Sequence, residues 1–328
     1  MNQELKTINS PFKFLDAYTK QDKDSFFGRD REIEDLYQKV FESRILLVYG
    51  LSGTGKTSII NCGLGNKFED TDWLPINIRR GKNINDSLYD EMSKAALTEV
   101  KQGNPIVKRI KSIYLDYFRP IYLIFDQFEE LFIFGDEKEQ KEFLHIINEI
   151  VESNVECRLI FSIREEYLAN VSDFEYIIPE FLSNKLRIGK MTAYHAKEVI
   201  EDSCRIHGIE VEEGFADQLL EKLNPTGKQI ELTYLQVYLD KIYRISSDSN
   251  AFSLEHIKKV GDVTDILGSF LDEQINELED PEIGLFVLKG FVSMQGTRKK
   301  NSDVDILQFV QMFGKKVKIE SLKEILQQ

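Results

Sequence analysis

The chain is 328 residues long, 42% hydrophobic and 30% charged, with a formal net charge of −14. That length leaves room for two or three packed units, and the balance of residue types is ordinary for a globular protein. The acidic field opposes nucleic acid and anionic membranes, no apolar run reaches the roughly 18 residues a bilayer span needs, and the polar start MNQELKTINS is no signal peptide, so the expectation is a cytoplasmic protein.

Taken in order, Asp30 to Ser43 predicts a helix, because Ile33, Leu36, Tyr37, Val40 and Phe41 recur at helical spacing and Asp30 is placed to cap it. The run RILLVY, closed by Gly50, is too short for a helix and suits a strand buried on both faces. Helical character returns after Lys56 through Ile59, Ile60 and Leu64. Apolar runs at Trp73 to Ile78, Ile121 to Phe125 and Cys157 to Ile163 predict further strands, with a fifth, NKLRI, ending near Ile188. Between them lies a helix from Glu139 to Val151, striped by Phe143, Leu144, Ile147, Ile150 and Val151. Strands alternating with helices imply an α/β fold, a parallel sheet with helices on both faces. From Thr192 the strand signals stop. Thr192 is placed to cap a helix running to about Ile206, and two more helical patterns end near Tyr243. SSDSN, Ser246 to Asn250, reads as a linker, and a last helical block runs from Ser253 to Gln328.

GLSGTGKT, Gly50 to Thr57, matches the phosphate-loop pattern GxxxxGK[ST] at every fixed position, with a buried strand before it and a helix after it. Gly50, Gly53 and Gly55 allow a tight turn whose N–H groups face inward, and Ser52, Thr54 and Ser58 complete the cradle. The following helix aims its positive end at the phosphates. Lys56 supplies a point charge to them, and the Thr57 hydroxyl is a ligand for Mg²⁺. Asp126, emerging from the strand Ile121 to Phe125, completes the metal site. Glu129 or Glu130 then orients or deprotonates the attacking water, Glu129 being the choice, unless both simply suit the start of a helix. Arg164 ends a strand on the same sheet edge. It senses the terminal phosphate there, or else forms a surface ion pair with Glu165 or Glu166. The guanine-reading pattern NKxD is absent: Asn66-Lys67-Phe68-Glu69 ends in glutamate and Asn184-Lys185-Leu186-Arg187 in arginine. Adenine is therefore the expected base, with ATP or ADP and Mg²⁺ as cofactors.

With these residues assembled, the chain resembles the STAND class of AAA+-related signal-transduction ATPases, in its bacterial novel-STAND branch. PFKFLDAYTKQDKDSFFGRDREIEDL (Pro11 to Leu36), the phosphate loop, DQFEELF (Asp126 to Phe132) and SIREEYL (Ser162 to Leu168) follow in the family's order. The resemblance implies that Phe27, Gly28 and Arg29 lie against adenine. It also implies a domain order of a leading adenine-contact segment over 1–29, a nucleotide-binding core over 30–191, a helical lid over 192–245 and a winged-helix-like, incomplete block over 251–328. In ELTYLQVYL, Thr233 stands where relatives often carry a proline. The family further implies slow hydrolysis, self-association on activation in bacterial signalling or antiviral defence, and a sensor that lies in a longer chain or is supplied separately.

The remaining chemistry-bearing residues are read blandly. Cys62, Cys157 and Cys204 fit no metal or redox spacing, and Cys157 opens an apolar strand, so buried reduced thiols are expected. His145, His195, His207 and His256 are scattered through helical patterns and read as packing or solvated positions. Thr297 to Lys300 and Gly314 to Lys318 make a locally basic region that suits solvated loops better than a DNA contact. A DNA-associated ATPase of the replication-initiator or transposition-helper type is the rival function.

Overall fold

The computed structural model describes residues 10–98, 103–224, 229–246, 250–261, 280–292 and 303–314, with isolated positions between 268 and 278. Strands β1 (Ile45–Gly50), β2 (Leu74–Arg79), β3 (Ile121–Asp126), β4 (Cys157–Arg164) and β5 (Lys185–Arg187) form one sheet in the order β2-β3-β4-β1-β5. Every pairing in it is parallel. Because side chains alternate along a strand, β1, β3 and β4 each feed two cores. Tyr122, Ile124 and Ile160 face one of them, beneath Ile33, Leu36 and Val40 of α1 (Asp30–Glu42) and Ile59, Ile60 and Leu64 after the phosphate loop. The short helix α2 (Lys56–Ser58) leads into that last stretch, widening into π-type turns over Ile59–Leu64. Leu123 and Phe125 of β3, with Leu159 and Phe161 of β4, face the other cluster. It is completed by α3 (Ile84–Ala95), α4 (Ile106–Tyr117) and α6 (Glu137–Glu152). Two short helices, α5 (Glu130–Phe134) and α7 (Leu168–Val171), lie just beyond the ends of β3 and β4. The predicted α/β sheet, covered by helices on both faces, is the observed one.

Register, more than layering, positions the functional groups. Gly50 pairs with Arg164 and Asp126 with Arg79, so the carboxyl ends of β1, β2, β3 and β4 open on one edge. Ligands of open parallel sheets bind at that edge.

One local expectation differs. Asp30 does not cap α1; Arg29 is the N-cap and makes no side-chain cap bond. Asp30 instead occupies the first turn, where its charge suits the dipole.

After the sheet, Thr192 does cap α8 (Ala193–Ile206), accepting from His195 N at 3.2 Å. Helices α9 (Phe215–Leu223) and α10 (Leu232–Ile245) follow. Strand signals are weak here but not extinguished. Two-residue strands β6 (Met191–Thr192) and β8 (Gln229–Ile230) pair antiparallel, and β7 (Glu210–Val211) and β9 (Ala251–Phe252) pair parallel. Through β9 the chain beyond the predicted linker still belongs to the first compact unit, which ends at Lys259. The second unit, from Val260, contains helices Pro281–Gly290 and Asp303–Met312, packed through Val287, Ile306 and Val310. Of the basic stretches, 297–300 and 315–318 lie outside the described residues. Among the described residues, no helix is long and apolar enough to cross a membrane.

Candidate functional site

At the open sheet edge lies a cavity of about 280 Å³. Its floor is the turn after β1. Ser52, Gly53, Gly55, Lys56, Thr57 and Ser58 border it, while Gly50 and the buried Thr54 do not line it. Gly53 and Gly55 take φ of +73° and +85°, the left-handed region that a side chain disfavours. Lys56 Nζ donates to the carbonyls of Gly50 and Leu51, both at 2.9 Å, so the ammonium lies against the turn it closes. Burial pushes the Lys56 pKa below its ordinary value, against the opposing pull of the Glu129 carboxylate.

Asp126 reaches the same floor from β3. The Thr57 hydroxyl donates to Asp126, lying 3.0 Å from each carboxylate oxygen. A hydroxyl and a carboxylate are hard oxygen donors, the set that Mg²⁺ takes beside phosphate oxygens and water. Among the described residues there is no cluster of three or more acidic, histidine or cysteine side chains able to hold a metal. A phosphate-bound Mg²⁺ does not call for one, since it usually keeps several waters.

Glu129 and Glu130 part company. Glu129 borders the cavity and is 4% exposed. Its Oε1 meets Arg164 Nε at 2.9 Å, and its Oε2 accepts from Arg164 N at 3.2 Å. Glu130 points instead to Arg79, at 3.4 Å, and burial raises its pKa despite that partner. Arg164 also borders the cavity, as the register partner of Gly50. Its anionic partner is Glu129; Glu165 is taken by Arg187, at 2.9 Å.

The Phe27-Gly28-Arg29 element is divided. Phe27 and Arg29 border the cavity, whereas a Cβ on Gly28 would lie 3.0 Å from His195 O and from Val199 Cγ2, so Gly28 packs on α8. Arg29 is 3% exposed and donates to Thr54 O and Gly189 O, both at 3.0 Å, with Glu32 as its ionic partner. It braces the phosphate loop from beneath.

Two further walls border the cavity, and neither set of contacts follows from spacing. One is the segment from Phe14 to Tyr18, held where Tyr18 N donates to Ser58 Oγ at 3.1 Å. The other is the start of α10, where Leu232, Thr233 and Gln236 border the cavity. A Cβ on Gly53 would come within 2.7 Å of Thr233 Oγ1, so α10 begins directly over the turn. Gln127, Ser162, Met191 and Val199 fill the remainder. Of these, the α10 residues carried a signal, since spacing placed a helix there; its position over the glycine turn did not follow from spacing.

The Novel STAND NTPase 1 family model matches residues 11–316. The chain belongs to this family. No curated protein sequence matches it. Solved structures similar to this NTPase include a Walker-type ATPase of Pyrococcus abyssi, with TM-score 0.57 and 14% identity over 97% of this chain and 92% of that one. The Aeropyrum pernix ORC1 protein, solved in complex with DNA, gives 0.56 and 15% over 93% and 83%. Domain III of the Thermotoga maritima replication initiation protein DnaA gives 0.52 and 17% over 77% and 96%. At these identities the likeness is one of fold, that of P-loop ATPases.

Proposed function

We propose that this Novel STAND NTPase is an ATP-binding, slowly hydrolysing molecular switch. The observation that carries the reading is the Thr57 hydroxyl bonded to Asp126 across the mouth of a glycine turn that also presents Lys56. Lys56 and the turn's N–H groups hold the phosphates, and Thr57 and Asp126 hold Mg²⁺. The ion, when bound, neutralises charge building on the phosphates. Glu129 is the group that orients the attacking water, and Arg164, paired with it, is the group that feels the terminal phosphate. Glu130, turned to Arg79, is the weaker candidate for the first role. Residues 192–245 act as the lid, a reading supported by Thr233 lying on Gly53. The family supports extending this to ligand-triggered self-association in cytoplasmic signalling or antiviral defence, with a sensor in a longer chain or a partner and the 251–328 block as a winged-helix-like domain.

The test is mass spectrometry of the nucleotide released from purified protein, with Lys56→Ala alongside. ADP or ATP released from wild type and none from Lys56→Ala is the outcome required. MgATP binding by Lys56→Ala at wild-type strength would remove the site.

A second reading, a DNA-associated ATPase, is favoured by the ORC1 and DnaA folds. The net charge of −14 weighs against it. DNA binding that falls steeply with salt and vanishes when Arg298, Lys299 and Lys300 are replaced would establish it.

A further inference from the structure

Gln236 stands one helical turn beyond Thr233 on α10 and borders the cavity, and its side-chain carbonyl is doubly used. Gln236 Oε1 accepts from Lys13 N at 3.3 Å and from the Tyr18 hydroxyl at 3.2 Å. A backbone N–H can only donate, so the first of these bonds decides which end of the amide faces the leading segment. The Tyr18 hydroxyl keeps its proton for the second, since burial pushes its pKa up to about 12. The amide nitrogen, Nε2, is left on the other side of the planar group, with two N–H donors, on a residue that borders the cavity.

What surrounds that donor differs from what surrounds the phosphate loop. Tyr18, bonded to Gln236, and Phe26, its ring 5.4 Å from that of Tyr18, border the cavity together with Phe14. Flat apolar walls with one directed donor suit a heteroaromatic ring better than a sugar or a phosphate. Tyr18 N is anchored on Ser58, the residue after Thr57, so Tyr18 meets α2 just beyond the phosphate loop.

We infer that Gln236 Nε2 reads the base of the bound nucleotide by donating to a ring nitrogen of a purine, while Gln236 Oε1 holds the leading segment over it. The inference rests on the proposed nucleotide site and assigns its base-specifying contact. One side chain on α10 then binds base and cover together.

The experiment measures binding of MgATP and its 1-deaza, 3-deaza and 7-deaza analogues, each lacking one ring acceptor, to wild type and to Gln236→Glu. The glutamate still accepts from Lys13 N and Tyr18 but has no donor. Wild type should bind one deaza analogue about tenfold more weakly than MgATP, the worth of one hydrogen bond. Gln236→Glu should lose about the same factor for MgATP and be indifferent to that deaza change, while unfolding without nucleotide at the wild-type temperature. All three analogues binding wild type like MgATP would overturn the assignment, and needs no variant. So would a loss confined to 2′-deoxy- or 3′-deoxy-ATP, which would give Nε2 to the sugar, or an equal weakening of every analogue by Gln236→Glu, which would mean only a loosened cover. Failure of wild type to bind MgATP at all would bring down the site reading itself, and so separates the two claims.

Discussion

Removing the Arg164 guanidinium should destabilise the protein through Glu129, and removing the Glu129 charge as well should restore most of the loss. The Glu129 side chain is 5% exposed, and besides the Arg164 guanidinium it accepts from the Arg164 backbone N–H. Breaking a fully buried pair by deleting one partner costs about 3–5 kcal/mol, whereas exposed pairs contribute about 0–1 kcal/mol. Arg164 is 36% exposed, so the water that screens it places the cost between these limits, at about 1–3 kcal/mol. For a unit of this size that lowers Tm by about 2–6 °C. Gln at 129 has the same shape, still offers an oxygen to Arg164 N, and carries no charge that needs a counter-ion. Thermal unfolding of wild type, Arg164→Ala, Glu129→Gln and the double variant, all without nucleotide, gives the coupling directly. Additivity within about 0.5 kcal/mol would refute the argument, since it would mean that the two side chains do not depend on one another. The same four proteins test the catalytic reading: Glu129→Gln should bind MgATP like wild type and hydrolyse it about 10²–10⁴-fold more slowly.

Gly53→Ala should cost about 1–2 kcal/mol for a left-handed φ, plus a contact with Thr233 Oγ1 that Thr233→Ala relieves; urea midpoints for Gly53→Ala that match wild type in both backgrounds would contradict the packing described. Chelating Mg²⁺ should weaken ATP binding to wild type, while Asp126→Asn should already be weak and show no further response to the chelator by calorimetry; a variant as chelator-sensitive as wild type would move the metal elsewhere. Burial pushes the thiol of Cys62 up to about 11 and those of Cys157 and Cys204 up to about 12. The unfolded chain therefore gives up these protons first, so stability is intact below the ordinary thiol pKa of 9.0 and is lost as pH climbs from there toward about 12; a urea midpoint that holds or rises between pH 8 and pH 11 would show the thiols to be accessible.

The sheet and its edge were legible because their determinants are local. An apolar run of fixed length ending in Gly50, and another ending in Asp126, reveal both a strand and the residue at its mouth, and parallel pairing then brings those mouths together. The contacts that close the cover were not legible, because they join segments from across the whole chain. Lys13 and Gln236, bonded at 3.3 Å, are 223 positions apart, and Phe12 packs its ring 5.9 Å from that of Phe252. No periodicity encodes such a meeting. The same holds at Arg29, where spacing suggested a cap at Asp30 next door. The structure instead places a buried guanidinium joining the Thr54 carbonyl of the phosphate loop to the Gly189 carbonyl just beyond β5. That bridge shows why the element around Arg29 is not interchangeable with any other helix start. Loss of its donors would leave two loop carbonyls unpaired beside the glycine turn, and the turn's geometry is what the phosphate chemistry requires. Local pattern therefore exposes the groups that meet the phosphates, while the groups that hold the turn and roof the cavity are visible only once the distant segments have met.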